Sequence, residues 1–295
     1  MKPILGFIGT GVMGVSIAGH LLNAGYTLHL YNRTQSKAQP LLERGAIWQE
    51  SPAALAPHCD VIFTMVGFPT DVEATYSGES GLLKTAKSGT LLVDMTTSKP
   101  SLAAKIAEAA EKIGCMALDA PVSGGDIGAR EARLSIMVGG TAEAFQKAKP
   151  FFEIVGKQIS HMGNAGMGQH TKMSNQIAIA SNMMGVCEAL TYAKKSGLNP
   201  EQVLEAISAG AAGSHSLNSL APRILKEDYS PGFYMKHFIK DMKIAIESAD
   251  EMGLHLPSLR FVCSLYEELA AAGYENEGTQ ALIRWYQDQL EGESK

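Results

Sequence analysis

The residues with the clearest chemical meaning stand near the start of the chain. Gly9-Thr10-Gly11-Val12-Met13-Gly14 is a G-x-G-x-x-G run that follows an apolar segment at 4–8 and opens a helical pattern, with Ile17, Ala18, Leu21 and Leu22 on one face and Gly25 as its stop. In that setting the three glycines do different things. Gly9 permits the tight turn, Gly11 lets the backbone approach a pyrophosphate, and Gly14 allows close helix–strand packing. The helix N-terminus adds N–H groups and the positive end of a dipole, so the six residues together predict a dinucleotide phosphate site. After the second apolar run comes Asn32-Arg33-Thr34, with no acid beside it in sequence. NAD sites usually place Asp or Glu there for the ribose 2′-hydroxyl. A guanidinium flanked by two neutral polar side chains can instead bind a 2′-phosphate, which a carboxylate would repel. NADP is therefore the expected cofactor. The alternative is NAD held by Asn32, with Arg33 a solvated loop residue.

These residues need a scaffold, and the chain supplies one. Short apolar runs at 4–8, 27–31, 61–66, 91–95, 116–120 and 134–138 alternate with helical patterns. Most runs are continuous rather than alternating, as in strands covered on both faces. Ser51-Pro52 reads as a cap and first helical residue, and Leu102, Ile106, Ala109 and Ile113 form a face that Gly114 ends. This α/β alternation predicts a doubly wound, mainly parallel sheet over residues 1–163. Beyond it the character changes. Met173, Ile177, Ala180, Met184, Cys187 and Leu190 mark a helix over 169–196, stopped by Gly197; such a helix spans about 40 Å. Asn199-Pro200 opens another helix, and no strand signal follows. Residues 164–295 are thus expected to form an all-α C-terminal domain that begins with a long interdomain helix.

Composition narrows the function. Of 295 residues, 45% are hydrophobic and 19% charged, enough to bury a core, and the net charge of −5 carries no basic run. Nucleic acid is not expected as a partner, because phosphate backbones need clustered Lys and Arg. Cys59, Cys115, Cys187 and Cys263 lie far apart with no C-x-x-C pair, so no metal site is expected and the thiols read as reduced. The early glycines break any signal-peptide core and no apolar run approaches membrane length. A cytoplasmic protein without membrane contact is expected.

Four motifs, in order, resemble those of the β-hydroxyacid dehydrogenases, the family of 3-hydroxyisobutyrate dehydrogenase, tartronate semialdehyde reductase and the glyoxylate/succinic semialdehyde reductases. They are Gly6-Phe7-Ile8-Gly9-Thr10-Gly11-Val12-Met13-Gly14, Asp119-Ala120-Pro121-Val122-Ser123-Gly124-Gly125, Gly168-Gln169-His170-Thr171-Lys172-Met173-Ser174-Asn175, and Lys240-Asp241. The resemblance covers nearly the whole chain. It implies a Rossmann domain, a helical domain completing the site from across a cleft, a homodimer or homotetramer, and hydride transfer between NADP(H) and a small hydroxy acid or its oxo partner. A catalytically silent NADP-binding or redox-sensing module is the alternative from another class, and 6-phosphogluconate-like decarboxylation a second enzymatic one.

Each motif residue also has a physical reading. Ser123, Gly124 and Gly125 follow a strand, and a hydroxyl with successive glycine N–H groups can cup a substrate carboxylate, unless the segment is only a turn. Lys172 and Asn175, three apart on a helix, face one way. Lys172 could pass a proton to a carbonyl oxygen as hydride arrives, its pKa drawn towards neutrality by burial, with Asn175 holding substrate or orienting the lysine. The resemblance further implies that Lys240 lies against the cofactor, that Met65 and Thr97 touch it, and that 210–214 edges the substrate pocket. Asp241 reads as a structural partner of Lys240, and His170 as surface or packing. One departure from the family pattern is Gly67-Phe68-Pro69, where relatives carry a longer polar stretch; it borders the adenosine side. The sequence does not name the particular acid.

Overall fold

The computed structural model describes residues 2–292, with side chains as far as Gln287. The chain forms two compact units, one up to Lys172 and one from Met173 onward, so the division falls inside a helix rather than ahead of it at 163/164.

The first unit is a nine-stranded sheet in the order β3-β2-β1-β4-β5-β6-β8-β7, with β9 paired to β8. Its elements are β1 (Leu5–Ile8), α1 (Val12–Asn23), β2 (Leu28–Tyr31), α2 (Gln39–Leu42), β3 (Ile47–Trp48), α3 (Pro52–Leu55), β4 (Val61–Thr64), α4 (Pro69–Ser77), β5 (Leu91–Asp94), α5 (Pro100–Lys112), β6 (Met116–Asp119), β7 (Val122–Ser123), α6 (Gly125–Arg130), β8 (Leu134–Gly139), α7 (Ala142–Val155) and β9 (Gly156–Gly163). Strands β1 to β6 are all parallel, whereas β8 runs antiparallel to β6 and β7. This is the Rossmann arrangement, reversing direction of winding at β1 and β4.

The apolar runs are continuous because the sheet is buried on both faces. Leu5, Phe7, Val61, Phe63, Leu91 and Val93 pack on one side with α1 and α7. Ile8, Ile62 and Leu92 face the other, against Leu55, Tyr76 and Ile106 from α3, α4 and α5. Gly6 lets α3 come close, since a Cβ there would meet Leu55 Cδ2. Helix ends follow their sequence signals: Ser51 Oγ accepts the Ala54 N–H at 3.0 Å, and Gly25 adopts φ +80°. Ile113 differs from expectation. Helix α5 ends at Lys112, which leaves Ile113 exposed beyond the last turn. Strands β3, β7 and β9 are additions to the six predicted. β3 and β7 are two residues each, and β9 is polar and half of it exposed, so neither length nor apolar content announced them.

The second unit contains most of α8 (Met167–Lys195), then α9 (Pro200–Ser208), α10 (Ala221–Leu225), α11 (Met235–Glu251), α12 (Pro257–Leu269) and α13 (Ile283–Gly292). Asn199 caps α9 by accepting the Gln202 N–H at 3.0 Å. Of the stripe predicted on α8, Met173, Ala180, Cys187 and Leu190 are buried, in one core with Phe238, Met242, Val262 and Tyr266 of α11 and α12. No strand occurs beyond β9 among the described residues, where only a single bridge joins Tyr234 to Gly278. Nor is any helix there long and apolar enough to cross a membrane.

The parallel strands end level with one another. Tyr31, Ile8, Thr64, Asp94 and Asp119 are paired in register across β2, β1, β4, β5 and β6. At this edge Asp94 is buried, and its Oδ1 accepts both the Thr64 hydroxyl at 2.8 Å and the Thr96 N–H at 3.0 Å. The Tyr76 hydroxyl lies 3.1 Å from Thr64 Oγ1. Burial pushes the Asp94 carboxyl up to about 6 against the downward pull of those hydrogen bonds, with a small upward contribution from Asp119. The folded value lies above the ordinary 3.8, so the native state takes up the proton first. Stability from this group is therefore greatest below about pH 4 and is lost as pH rises through about 6. Relative to Asp94→Asn, which does not titrate, the wild type should gain on the order of 1 kcal/mol, roughly 2 °C in Tm, between about pH 8 and pH 5. Thermal unfolding of both proteins across that range checks this, and a flat difference contradicts it.

Candidate active site

The predicted phosphate loop joins β1 to α1. Gly9 adopts φ +97°, and a Cβ there would lie 2.2 Å from the Met65 carbonyl oxygen; at Gly14 it would lie 1.9 Å from the Gly9 oxygen. Both positions therefore require glycine. Gly11 is different: no atom lies within 4 Å of where its Cβ would be. The space there is open towards solvent, as an approaching pyrophosphate needs. Helix α1 has no side-chain cap and no acid in its first turn, so its N–H groups and dipole are available to an anion. Thr10 Oγ1 is buried and has no hydrogen-bond partner among the described residues, a hydroxyl that a bound phosphate oxygen would satisfy. The loop fits a dinucleotide.

Asn32 serves the loop itself. Its Oδ1 accepts the Thr10 N–H at 3.0 Å and its Nδ2 donates to the Thr34 oxygen at 2.7 Å. Arg33 is mostly exposed, and an acid does stand beside it: Asp71, from α4, with Oδ1 at 3.2 Å from Arg33 Nη1. The absence of an acid in the neighbouring sequence is thus corrected by the fold. Met65 follows β4 and donates its N–H to Ile8. Thr97, half-buried, follows β5 in the loop 95–98. Ser123 ends β7 just past β6, and Gly124 and Gly125 take φ +132° and +62°, values that a side chain would resist. The loop, Asn32, Arg33, Met65, Thr97 and Ser123 all follow strands of one sheet, and the first five lie at its carboxyl edge.

Lys172 is buried, at 6% exposure, one turn into α8. What fixes this turn is the carboxylate of Asp119, at the end of β6. Its Oδ1 accepts the Gly166 N–H at 2.7 Å and its Oδ2 the Gln169 N–H at 2.8 Å. Burial pushes the Asp119 carboxyl up, opposed by these backbone donors. Gln169, itself fully buried, accepts the Ser98 N–H at 2.9 Å and donates to the Thr96 oxygen at 2.7 Å. Gly168 packs so closely that a Cβ would reach the Met137 oxygen at 2.5 Å and the Asp119 oxygen at 2.7 Å. The sequence motifs contain Asp119, Gly168 and Gln169 without marking any role for them. In the fold they pin the start of α8.

In the second unit the predicted residues form a hydrogen-bonded chain. Asn175 Nδ2 donates to Gln176 Oε1 at 2.8 Å, and Gln176 Nε2 donates to Asp241 Oδ2 at 2.6 Å. The Lys240 ammonium lies 3.0 Å from Asp241 Oδ1. Asp241 is 1% exposed and Gln176 likewise, so Asp241 both pairs with Lys240 and ties α11 to α8. Gln176, four residues after Lys172, is the member that the sequence pattern does not reveal. Residues 210–214 are mostly exposed; Ala212 and Ser214 line a cavity of about 260 Å³ with Ser181 and Asn182 of α8 and Ile207 of α9. His170 is half-buried. Among the described residues no cluster of three or more His, Cys, Asp or Glu side chains could hold a metal ion.

Comparison with known proteins identifies the family. Residues 4–163 match the family model of the NAD-binding domain of 6-phosphogluconate dehydrogenase, and residues 166–286 that of the NAD-binding region of NADP-dependent 3-hydroxyisobutyrate dehydrogenase. The chain is 57% identical to an uncharacterized oxidoreductase of Bacillus subtilis (strain 168), over 96% of this chain and 99% of that one. It is 39% identical to 2-hydroxy-3-oxopropionate reductase of Escherichia coli (strain K12), over 95% and 96%. The solved structure of Mycobacterium tuberculosis 3-hydroxyisobutyrate dehydrogenase with L-serine superposes with a TM-score of 0.89 at 27% identity, covering 96% of this chain and 99% of that one. With a dinucleotide loop that fits its ligand, a Rossmann sheet and both halves matched by dehydrogenase models, the chain belongs to the NAD(P)-dependent β-hydroxyacid dehydrogenases of the 3-hydroxyisobutyrate dehydrogenase family.

Proposed function

We propose that this enzyme prefers NADP(H) and interconverts a short β-hydroxy acid and its semialdehyde, with Lys172 as proton donor in reduction and acceptor in oxidation. The observation that carries the reading is the clamped turn of α8: Asp119 and Gln169 hold a buried lysine in one place relative to the loop 96–98. Bound nicotinamide supplies or accepts the hydride. Hydride arriving at an uncharged carbonyl would otherwise leave an alkoxide, strongly basic in a site screened from water. The Lys172 ammonium stabilises that oxygen and gives it a proton; in the other direction the amine takes the proton back.

The order of side chains along the sheet edge supports the cofactor's orientation. Arg33 follows β2, the glycine loop β1, Met65 β4 and Thr97 β5, with Ser123 just past β6. These strands span four intervals of about 4.8 Å, or about 19 Å, which suits an extended dinucleotide with its 2′-phosphate on Arg33 and Asn32-Thr34, its pyrophosphate on residues 9–14, and its nicotinamide near Met65 and Thr97. The substrate carboxylate then falls to Ser123, Gly124 and Gly125. Asn175 and Lys240 are assigned to substrate and cofactor respectively. The names of the relatives, 3-hydroxyisobutyrate and 2-hydroxy-3-oxopropionate, describe acids whose reacting carbon is β to a carboxylate, the class that such an anion cup would select. A homodimer or homotetramer and a cytoplasmic location complete the proposal; four buried free cysteines suit a reducing compartment.

Three measurements test it. The ratio of kcat/KM for NADPH over NADH should be at least about tenfold, roughly 1.4 kcal/mol from the charge-assisted phosphate contact; equal efficiency sinks the preference. Ser123→Ala should weaken binding of the acid by about 1–3 kcal/mol while NADPH titration is unchanged, and the reverse pattern means that the hydroxyl serves the cofactor. Lys172→Ala should lower kcat by about 10²–10⁴ in both directions, with NADPH binding intact. Lys172→Arg should not restore it, because a guanidinium does not release its proton near neutral pH. Near-normal turnover by the alanine variant overturns the assignment.

A further inference from the structure

Arg33 reaches for its carboxylate partner through solvent, whereas the carboxylate is held in place. Asp71 is the third residue of α4, and its Oδ2 accepts the Phe68 N–H at 3.1 Å. This is the acidic half of a capping box, the other half being absent because Phe68 has no acceptor side chain. Gly67 closes in on the same oxygen, since a Cβ there would lie 3.1 Å from it. The other oxygen faces Arg33 Nη1 at 3.2 Å. Side-chain exposure is 86% for Arg33 and 28% for Asp71, so the acid is the anchored member of the pair. The carboxylate thus occupies the neighbourhood where NAD enzymes put an acid and NADP enzymes avoid one, but it arrives from α4 instead of from the end of β2.

We propose that Asp71 is a specificity-determining residue that attenuates the enzyme's hold on the 2′-phosphate of NADP. This rests on the reading that Arg33 meets that phosphate. The guanidinium has five donors and can serve a phosphate while still touching Asp71. It cannot be neutral to the exchange: Asp71 offsets part of its charge and sets a fixed negative charge beside a phosphate carrying nearly two. Relief of a partly exposed charge of this kind corresponds to about a three- to tenfold gain in affinity. The same carboxylate leaves an acceptor near the ribose for a cofactor that has only hydroxyls, so NAD is not penalised.

The test uses Asp71→Asn, which keeps an oxygen for the Phe68 N–H and removes only the charge. Calorimetric titration of the full-length wild type, Asp71→Asn and Arg33→Ala with adenosine 2′,5′-bisphosphate and with 5′-AMP separates the 2′-phosphate from the rest of the cofactor. Asp71→Asn should bind the bisphosphate about three- to tenfold more tightly and 5′-AMP within about twofold of wild type. The gain should shrink as salt rises from about 0.05 M to about 0.5 M. Unchanged or weaker binding of the bisphosphate, or a gain that salt does not reduce, overturns the proposal, and intact 5′-AMP binding certifies the fold. The NADP preference itself is judged on the wild type and on Arg33→Ala. A wild type indifferent to the 2′-phosphate whose Asp71→Asn variant gains a preference would refute that reading and uphold the role of Asp71.

Discussion

The two hydrogen bonds from Gly166 and Gln169 to the Asp119 carboxylate are the contact on which the placement of Lys172 depends. Strand β6 ends at Asp119, and the first turn of α8, which begins at Met167, finds an acceptor there. The two donors reach different oxygens of the side chain. An asparagine would set an NH2 group against one of those N–H groups, so a carboxylate suits the site even though burial penalises its charge and pushes its pKa up. Each donor left without a partner here would cost about 1–3 kcal/mol. The dipole of a 29-residue helix adds to the attraction. Lys172 then follows one turn later, on backbone that Gln169 also fastens to Thr96 and Ser98.

Close approach is the second constraint, and glycine is its answer at both ends of the site. At Gly14 the loop folds back on the Gly9 carbonyl and at Gly9 it lies against that of Met65, and at Gly168 and Gly139 helix α8 presses onto Asp119 and Met137. Of the three glycines of the loop, Gly11 alone has room, on the side that a cofactor would enter. The two sets of glycines therefore work differently: Gly11 leaves space for a ligand, whereas Gly139 and Gly168 remove space so that a helix can be seated.

Much of this was legible in the sequence because periodicity and motif placement are local properties. Six strands, the loop 9–14, the long helix and its stripe at Met173, Ala180, Cys187 and Leu190 follow from spacing alone. The short strands β3 and β7 and the polar β9 did not, since their pairing is decided by neighbours rather than by their own composition. The site divides in the same way. Asp119, Gly168 and Gln169 lie within recognisable motifs, but a residue whose work is to accept a backbone N–H 47 or 50 positions away carries no local mark of it. Asp71 is the sharper case. Reading outward from Arg33 finds no acid, because the acid is 38 residues distant and comes to Arg33 only when α4 follows β4 back across the sheet edge.

Charge is distributed unevenly along that edge. Two buried acids, Asp94 and Asp119, are adjacent in register on β5 and β6, and each is raised by burial. They would be poor neighbours for a pyrophosphate. The glycine loop, however, follows β1, two strands from Asp94 and three from Asp119, so the separations are about 10 and about 14 Å, at or beyond a Debye length where water intervenes. Their charge is also committed inward, to Thr64, Thr96, Gly166 and Gln169. Helix α1, by contrast, has no acid in its first turn. In the proposed binding mode the anionic end of a dinucleotide lies over β1 and β2, away from these acids, and its nicotinamide end over β5. That mode matches the sheet edge, on which β5 and β6 end in acids while β1 runs into the glycine loop.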